Sequence, residues 1–422
     1  MLISASSKTK PLDESTITDL ISGSLEKIDL KNKRILMIVP DKTRHCPLPI
    51  IFKTIYRNLC HIVKKLDVMI ALGTHQPMSE DEILKMFNLT RKEKAQIKTE
   101  FMNHAWDDPS ALATIGKIDS GEVNRLTSGL LKEEVSVNIN KRIFEYDRIF
   151  IIGPTFPHEV AGFSGGYKYF FPGIAGQEII HFFHWVGALV TNVKINGVKE
   201  TPVRKVIEKC ASFINIPVTC FSLVVDHGTT FGLFIGDEPE TWSAAADLSK
   251  KLQIVYLNKP YKRVLGICPK IYDELWTGAK VMYKLESVVE NGGELIIYAP
   301  HIKEISFTHG KQIREIGYHT RDYFLMQWDK FKKYPRGILA HSTHVKGMGT
   351  YENGVEKPRI KVTLATGIPE SVCKKINLGY LDPEEVSLHE WEKDNDNLLV
   401  QEAGIKLYKL KGDDSIGYNS ID

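Results

Sequence analysis

The chain has 422 residues, enough for roughly two or three domains at ~150 residues each. It is 43% hydrophobic and 25% charged, which excludes a disordered chain, a collagen-like fibre and a small disulfide scaffold. Fifty-five Lys and Arg against 52 Asp and Glu leave +3, so no overall charge draws it to nucleic acid or to an anionic membrane.

The first segment, MLISASSKTK, lacks the apolar core of a signal peptide. Arg34–Val39 reads as a buried strand and ends in Pro40-Asp41-Lys42-Thr43-Arg44. An amphipathic helix is predicted over Leu48–Leu66, then a strand over Leu66–Leu72 that ends in Gly73-Thr74-His75. A helix over Glu80–Phe87 and a strand over Arg148–Ile152, ending in Gly153-Pro154, follow. The apolar stretch Ile179 to Val190 is too short to span a bilayer and contains His181 and His184. Strands are predicted at Ser222–Val225, Phe231–Ile235, Arg263–Cys268, Glu294–Tyr298 and Gly337–Ala340. Strands alternating with helices define an α/β fold with largely parallel sheet. Asn258-Lys259-Pro260-Tyr261 marks a boundary, giving one domain over 1–259 and a second over 260–422. The six cysteines are scattered with no CxxC pair, which suits reduced thiols in a cytoplasmic protein.

In open α/β sheets ligands bind beyond the carboxyl ends of strands, so the loops at Asp41–Arg44, Gly73–His75 and Gly153-Pro154 form the expected rim. Arg44 offers a planar fork for a carboxylate or phosphate, with Asp41 beside it to orient it; a surface ion pair is the plainer reading. The segment from Pro157 to Gly176 is dense in glycine, and Gly165 and Gly166 precede Lys168. Such a turn either cradles an anion with backbone N–H groups or packs two elements tightly; it does not follow the P-loop spacing. Lys168 suits a phosphate contact or, with a lowered pKa, a nucleophile. His75 and His158 make a candidate acid–base pair, and two such bases on opposite faces of one carbon is what racemisation needs. His181 and His184 share a helix face and suit either a metal or packing. Lys280, and His341 with His344, mark polar rims in the second domain.

These pieces resemble one family, the nickel-pincer-nucleotide-dependent lactate racemases and their homologues, which act on 2-hydroxy acids. The matching motifs are DKTR at Asp41–Arg44, LGTH at Leu72–His75, PHEVAGFSGGYK at Pro157–Lys168 and PGIAG at Pro172–Gly176, with His184 sixteen residues beyond Lys168. The resemblance implies two α/β domains with the active site in the cleft between them. The N-terminal domain would carry the cofactor motifs, and the C-terminal domain would close over the substrate. It implies a nickel pincer nucleotide held covalently by Lys168, with His184 as the protein ligand of the nickel. His75 and His158 would be the acid–base histidines. Asp41, Arg44, Gly165 and Gly166 would lie at the cofactor, and Lys42, Arg44, Lys280 and Thr277 at the substrate. The cofactor is built by separate enzymes, which would be transient partners, and protein made without them would be apo. His181 matches no ligand and is assigned to packing.

The departure from the family pattern is Thr277, where lactate racemases carry a glutamine three residues before the lysine matched to Lys280. A shorter side chain leaves room for a longer substrate, so sugar acids such as gluconate join lactate as candidates. His341 and His344 would suit the extra hydroxyls. The reading is an isomerase, a racemase or 2-epimerase working by hydride removal and return at C2 through a 2-keto acid. A zinc-dependent hydrolase using the same histidines, and a non-catalytic sugar-acid or nucleotide-binding protein, are the competing classes. Neither nucleic acid nor membrane is an expected partner.

Overall fold

Short β-branched runs form strands buried on both faces, and the segments with a helical period cover them. The computed structural model describes residues 2–394 and 396–412. The chain divides into two units. The first comprises Met1–Phe156, Phe163–Ile180 and Arg204–Leu252, and the second Pro157–Gly162, His181–Val203 and Gln253–Asp422.

The first unit is built on a seven-stranded sheet, ordered Ile3–Ser6, Thr229–Gly236, Val218–Asp226, Arg148–Pro154, Arg34–Val39, Lys65–Ile70 and Phe101–Asn103. The last five strands in that order run parallel, while Thr229–Gly236 is antiparallel to both its neighbours. Met37 is in register with Val68 on one side and Phe150 on the other. Ile35, Met37, Val68, Phe150 and Phe221 are buried against Ile17, Ile21, Ile51 and Phe52 of the covering helices. Each such side chain contributes about 1.5–3 kcal/mol by leaving water. Helix Glu80–Phe87 starts on a capping box, with Ser79 and Glu82 each satisfying the other's backbone amide. The helix predicted over Leu48–Leu66 stops at Leu59, because residues 60–64 form the turn into the strand Lys65–Ile70. In that turn the Lys64 amide donates to the Lys33 carbonyl.

The second unit holds a five-stranded, all-parallel sheet ordered Gly379–Leu381, Lys361–Thr366, Val289–Ala299, Tyr261–Ile267 and Leu398–Val400. One sequence expectation is corrected here. Gly337–Ala340, read as a strand, is the first turn of helix Arg336–Lys346. A four-residue apolar run has no period of its own, and this helix is buried from Gly337 to Val345, so its polar side never appears as an alternation.

The single cut at 259/260 also differs from the observed division. The main boundary falls at 252/253, and Pro157–Gly162 and His181–Val203 belong to the second unit although they lie far upstream. The chain crosses between units without a polar linker, so composition carries no trace of these crossings. Among the described residues no helix is long and apolar enough to cross a membrane. The six cysteines form no disulfide, and four of them are buried.

Candidate active site

In the first unit the strands Arg34–Val39, Lys65–Ile70 and Arg148–Pro154 are parallel neighbours, so the loops beyond their carboxyl ends lie along one edge. There Asp41 Oδ2 meets His75 Nδ1 at 2.5 Å. Asp41 Oδ1 accepts from the Thr43 amide at 2.9 Å and the Thr43 hydroxyl at 2.5 Å. Burial works to raise the Asp41 pKa, but His75, Arg44 and Thr43 outweigh it and hold the carboxyl well below the usual range. In the neutral ring, a contact with an ionised Asp41 favours the tautomer with its proton on Nδ1 and the lone pair on Nε2. Arg44 lies over the Phe156 ring at 5.3 Å and, with Asp41, acts electrostatically on the buried Tyr169 hydroxyl. Lys42 is turned to the Glu82 carboxylate in an exposed ion pair.

The Asp41 pair has a pH signature. A depressed carboxyl pKa adds stability that is present above its unfolded value of ~3.9 and is lost as pH falls toward the folded value. Asp41→Asn is therefore expected to unfold more easily than wild type at pH 7, with the gap narrowing below pH ~4. Urea unfolding at pH 7 and pH 3 checks this; a gap that stays constant contradicts the ionised pair.

The glycine turn is packed from within. Gly165 and Gly166 have φ of +85° and +58°. A Cβ at Gly165 would collide with the Thr155 hydroxyl, and one at Gly166 with the Glu238 carboxylate. Glu238 accepts from the Tyr167 amide at 2.8 Å. Arg204 Nη1 lies 3.6 Å from Glu238, its Nη2 donates to the Gly165 carbonyl at 3.3 Å, and its guanidinium stacks 3.6 Å from the Trp242 ring. Trp242 Nε1 in turn donates to the Ser164 carbonyl at 2.9 Å. This buried set grips the backbone of Ser164, Gly165 and Tyr167 and so fixes the short turn Gly166–Tyr169 that carries the half-buried Lys168. Packing accounts for both glycines on their Cβ sides, where the Thr155 hydroxyl and the Glu238 carboxylate already sit. Arg204, Glu238 and Trp242 escaped the sequence reading because they lie 39 to 78 positions from the turn residues they bind, and no local spacing signals them.

In the second unit His158 is buried and its Nδ1 accepts from the Val160 amide at 3.1 Å. That bond places the proton of the neutral ring on Nε2. The two histidines therefore differ: His75 presents a lone pair and His158 an N–H. Glu159, adjacent to His158 but given no role in the sequence reading, lies 3.7 Å from His158 Nδ1. Burial works against its charge, yet His158, Lys284 and Lys280 prevail and hold it below the usual range. Buried Lys284 donates to the Pro157 carbonyl. Lys280 lies 4.4 Å above the Tyr272 ring. Thr277 uses its hydroxyl within its own turn, donating to the Glu274 carbonyl at 3.1 Å.

His181 and His184 do lie on a helix, Gln177–Val190. His181 packs at Gly337, where an added Cβ would stand 2.6 Å from its Nδ1, which agrees with the packing role. Burial lowers His181, His309 and His344 to about 4, and an electrostatic contribution from His184 adds to each shift. His341 stacks face to face on Trp276 with ring centroids 3.7 Å apart. Among the described residues no group of three or more His, Cys, Asp or Glu side chains is arranged to hold a metal ion. A metal at His184 would take its remaining ligands from a bound group, since no described cluster supplies them.

These features define an α/β protein with a histidine–carboxylate pair at its strand ends and a lysine set on a buried, ion-paired turn. Residues 5–195 match the family profile described as the lactate racemase N-terminal domain. A lactate racemase from Lactiplantibacillus plantarum is 25% identical over 258 residues, 59% of this chain and 55% of the relative. The match thus spans about half the length of that curated relative. A lactate racemase from Thermoanaerobacterium thermosaccharolyticum is 23% identical over 337 residues, 78% of this chain and 69% of the relative. A crystal structure of a Thermotoga maritima protein superposes with a TM-score of 0.88 at 34% identity, covering 96% of this chain and 100% of that one. The apoprotein of the T. thermosaccharolyticum lactate racemase superposes with a TM-score of 0.70 at 20% identity, covering 93% and 92%, and attests the shared fold. Through residues 5–195 and these relatives, the chain is similar to the lactate racemase family.

Proposed function

We propose that this chain is an isomerase, a racemase or 2-epimerase of a 2-hydroxy acid, that inverts C2 through a 2-keto acid. The observation that carries the reading is the Asp41–His75 pair, in contact at 2.5 Å within the segment that matches the lactate racemase N-terminal domain. A C2–H bond beside a carboxylate is a poor carbon acid, because the carboxylate opposes further negative charge. Loss of that hydrogen as hydride avoids the carbanion. The nickel pincer nucleotide, when bound, supplies the hydride acceptor.

The chain's own residues do the rest. His75 Nε2 takes the hydroxyl proton, and His158 offers its Nε2–H to the substrate oxygen. Arg44 and Lys280 are the cations for the carboxylate, and Arg44 has the fork to bind it in two places. Lys42, spent on Glu82, is the weaker candidate. The Lys168 amine is the tether, and a neutral His184 imidazole suits nickel, a borderline metal. The enzymes that build the cofactor are transient partners, and scattered cysteines without disulfides support a cytoplasmic setting. A zinc hydrolase finds less support, since it needs three protein ligands that no described cluster supplies.

Chiral chromatography of single enantiomers of lactate, malate and gluconate, incubated with cofactor-loaded protein, tests the function. Interconversion at C2 of at least one of them is expected. Hydrolytic turnover with untouched C2 stereochemistry would sink the proposal.

A further inference from the structure

We propose that a hollow in the second unit binds a phosphate group, carried by a small monoester or free in solution. The hollow measures about 250 Å³. It is walled by the end of helix Gly310–Ile316, by the segment 330–334 and by Lys375, the last residue of helix Glu370–Lys375. None of its lining residues has a part in the isomerase reading. Lys330, Lys333 and Lys375 supply its charge, and Glu315 is the one acidic residue among the described lining.

The neighbouring lysines divide their work. Lys332 and Lys374 each hold a carboxylate one turn back, Asp329 at 2.7 Å and Glu370 at 2.6 Å, and neither lines the hollow. Lys333 and Lys375 do line it, and among the described residues neither they nor Lys330 has a carboxylate partner. Lys330 and Lys333 rest instead over the rings of Phe331 and Tyr334, at 4.8 and 5.3 Å. Glu315 already accepts from the Tyr334 hydroxyl at 3.3 Å. Three ammonium groups thus share one concavity with a single, engaged carboxylate. Like charges so placed repel, and a bound anion relieves that repulsion.

An imidazole is held ready at the same place. His319 Nδ1 meets Glu356 Oε2 at 2.8 Å and Asn377 Nδ2 at 3.1 Å, and its ring stacks on Tyr323 with centroids 3.7 Å apart. Burial works to raise the Glu356 pKa, but His319, the Thr320 amide and the Lys346 ammonium outweigh it and keep the carboxylate charged. His319 Nε2 has no hydrogen-bond partner among the described residues. It stands at Gly317, where an added Cβ would come within 3.0 Å of it. His319 and Gly317 both line the hollow, so the missing side chain keeps Nε2 open to it. As the imidazolium, the ring donates from Nδ1 to Glu356 and from Nε2 to an anion oxygen.

The donor set selects phosphate over carboxylate. A carboxylate is gripped in two places by an arginine fork, and no arginine is among the described lining. A phosphate monoester brings nearly two charges and three strong acceptor oxygens, which the point charges of lysines answer. At ~30 Å³ for a water-sized group the hollow takes about eight, enough for a phosphate with a short carbon body.

Calorimetric titration of glycerol 3-phosphate, inorganic phosphate and glycerol into the full chain tests this. Both phosphates are expected to bind saturably and glycerol not at all. Lys333→Gln with Lys375→Gln is expected to weaken phosphate binding at least tenfold. Lys332→Gln with Lys374→Gln removes the same charge from outside the hollow and is expected to change it less than twofold. All four lysines are exposed, so both pairs of changes should leave the melting temperature near that of wild type. His319→Phe, which keeps a ring on Tyr323, is expected to weaken binding at least threefold. Tighter binding of glycerol 3-phosphate than of inorganic phosphate assigns the site to a monoester, and equal affinity assigns it to the free ion; both support it. Binding of neither phosphate, or equal weakening by the two lysine pairs, overturns the proposal. So does phosphate binding that ignores Lys333, Lys375 and His319, as a site at the glycine turn would.

Discussion

Arg204→Ala is expected to lower the unfolding free energy by about 3–5 kcal/mol, the loss typical of a broken buried ion pair. Arg204 is 1% exposed and Glu238 2%, so the carboxylate left behind has no water to turn to. The change also removes the bond to the Gly165 carbonyl and the stack on Trp242. At ~2–4 °C per kcal/mol for a unit of this size, the melting temperature should fall by about 6–20 °C. Glu238→Gln keeps an acceptor for the Tyr167 amide and should lose less. Replacing both residues together, Arg204→Met with Glu238→Gln, should lose less than Arg204→Ala alone, because no charge is then stranded. Urea unfolding of the three variants reads these differences. A loss below ~1 kcal/mol for Arg204→Ala, the worth of an exposed pair, would contradict the buried network. The chemical consequence follows from position, since the turn gripped by this network carries Lys168.

His75→Ala is expected to reduce kcat/KM of the loaded enzyme by ~10²–10⁴, the usual contribution of a general acid–base group. Asp41→Asn should fall in the same range while His75 is still present. An amide offers its N–H₂ to Nδ1 as readily as its oxygen, so the ring is no longer obliged to keep its proton there and its Nε2 lone pair is no longer assured. Because the tautomer rather than the pocket changes, the loss should appear in kcat with KM little moved. Nickel content per chain, measured on the same samples, separates failed chemistry from failed loading. A His75→Ala enzyme that keeps a tenth or more of wild-type activity at full nickel content would remove His75 from the catalytic pair.

The strand ends were legible in the sequence because the chemistry there is local. Arg34–Val39 was read to the residue, and DKTR and LGTH lie within a few positions of their strands, so parallel pairing alone brings Asp41 to His75. Helix Glu80–Phe87 was also read to the residue, and Ser79 with Glu82 marks its start. Gly337–Ala340 failed for the opposite reason, since a fully buried helix start shows no alternation to distinguish it from a strand. The two units differ from a single cut at 259/260 because His158 and His184 lie on segments of the second unit that carry no linker composition. The support of Lys168 was invisible, because Arg204 and Glu238 are brought to the glycine turn by tertiary folding alone. Glu159 stood inside a motif already quoted, and a carboxylate next to a candidate base was the signal that went unused.

The central claim is that Lys168 tethers a nickel-bearing cofactor to a 2-hydroxy acid isomerase. It is tested most directly by the intact mass and nickel content of the chain produced with and without the cofactor-building enzymes, beside Lys168→Ala. A covalent mass gain with about one nickel per chain is expected for wild type made with those enzymes, and neither for the variant. No gain under conditions that load a known lactate racemase, or an equal gain on Lys168→Ala, would contradict it.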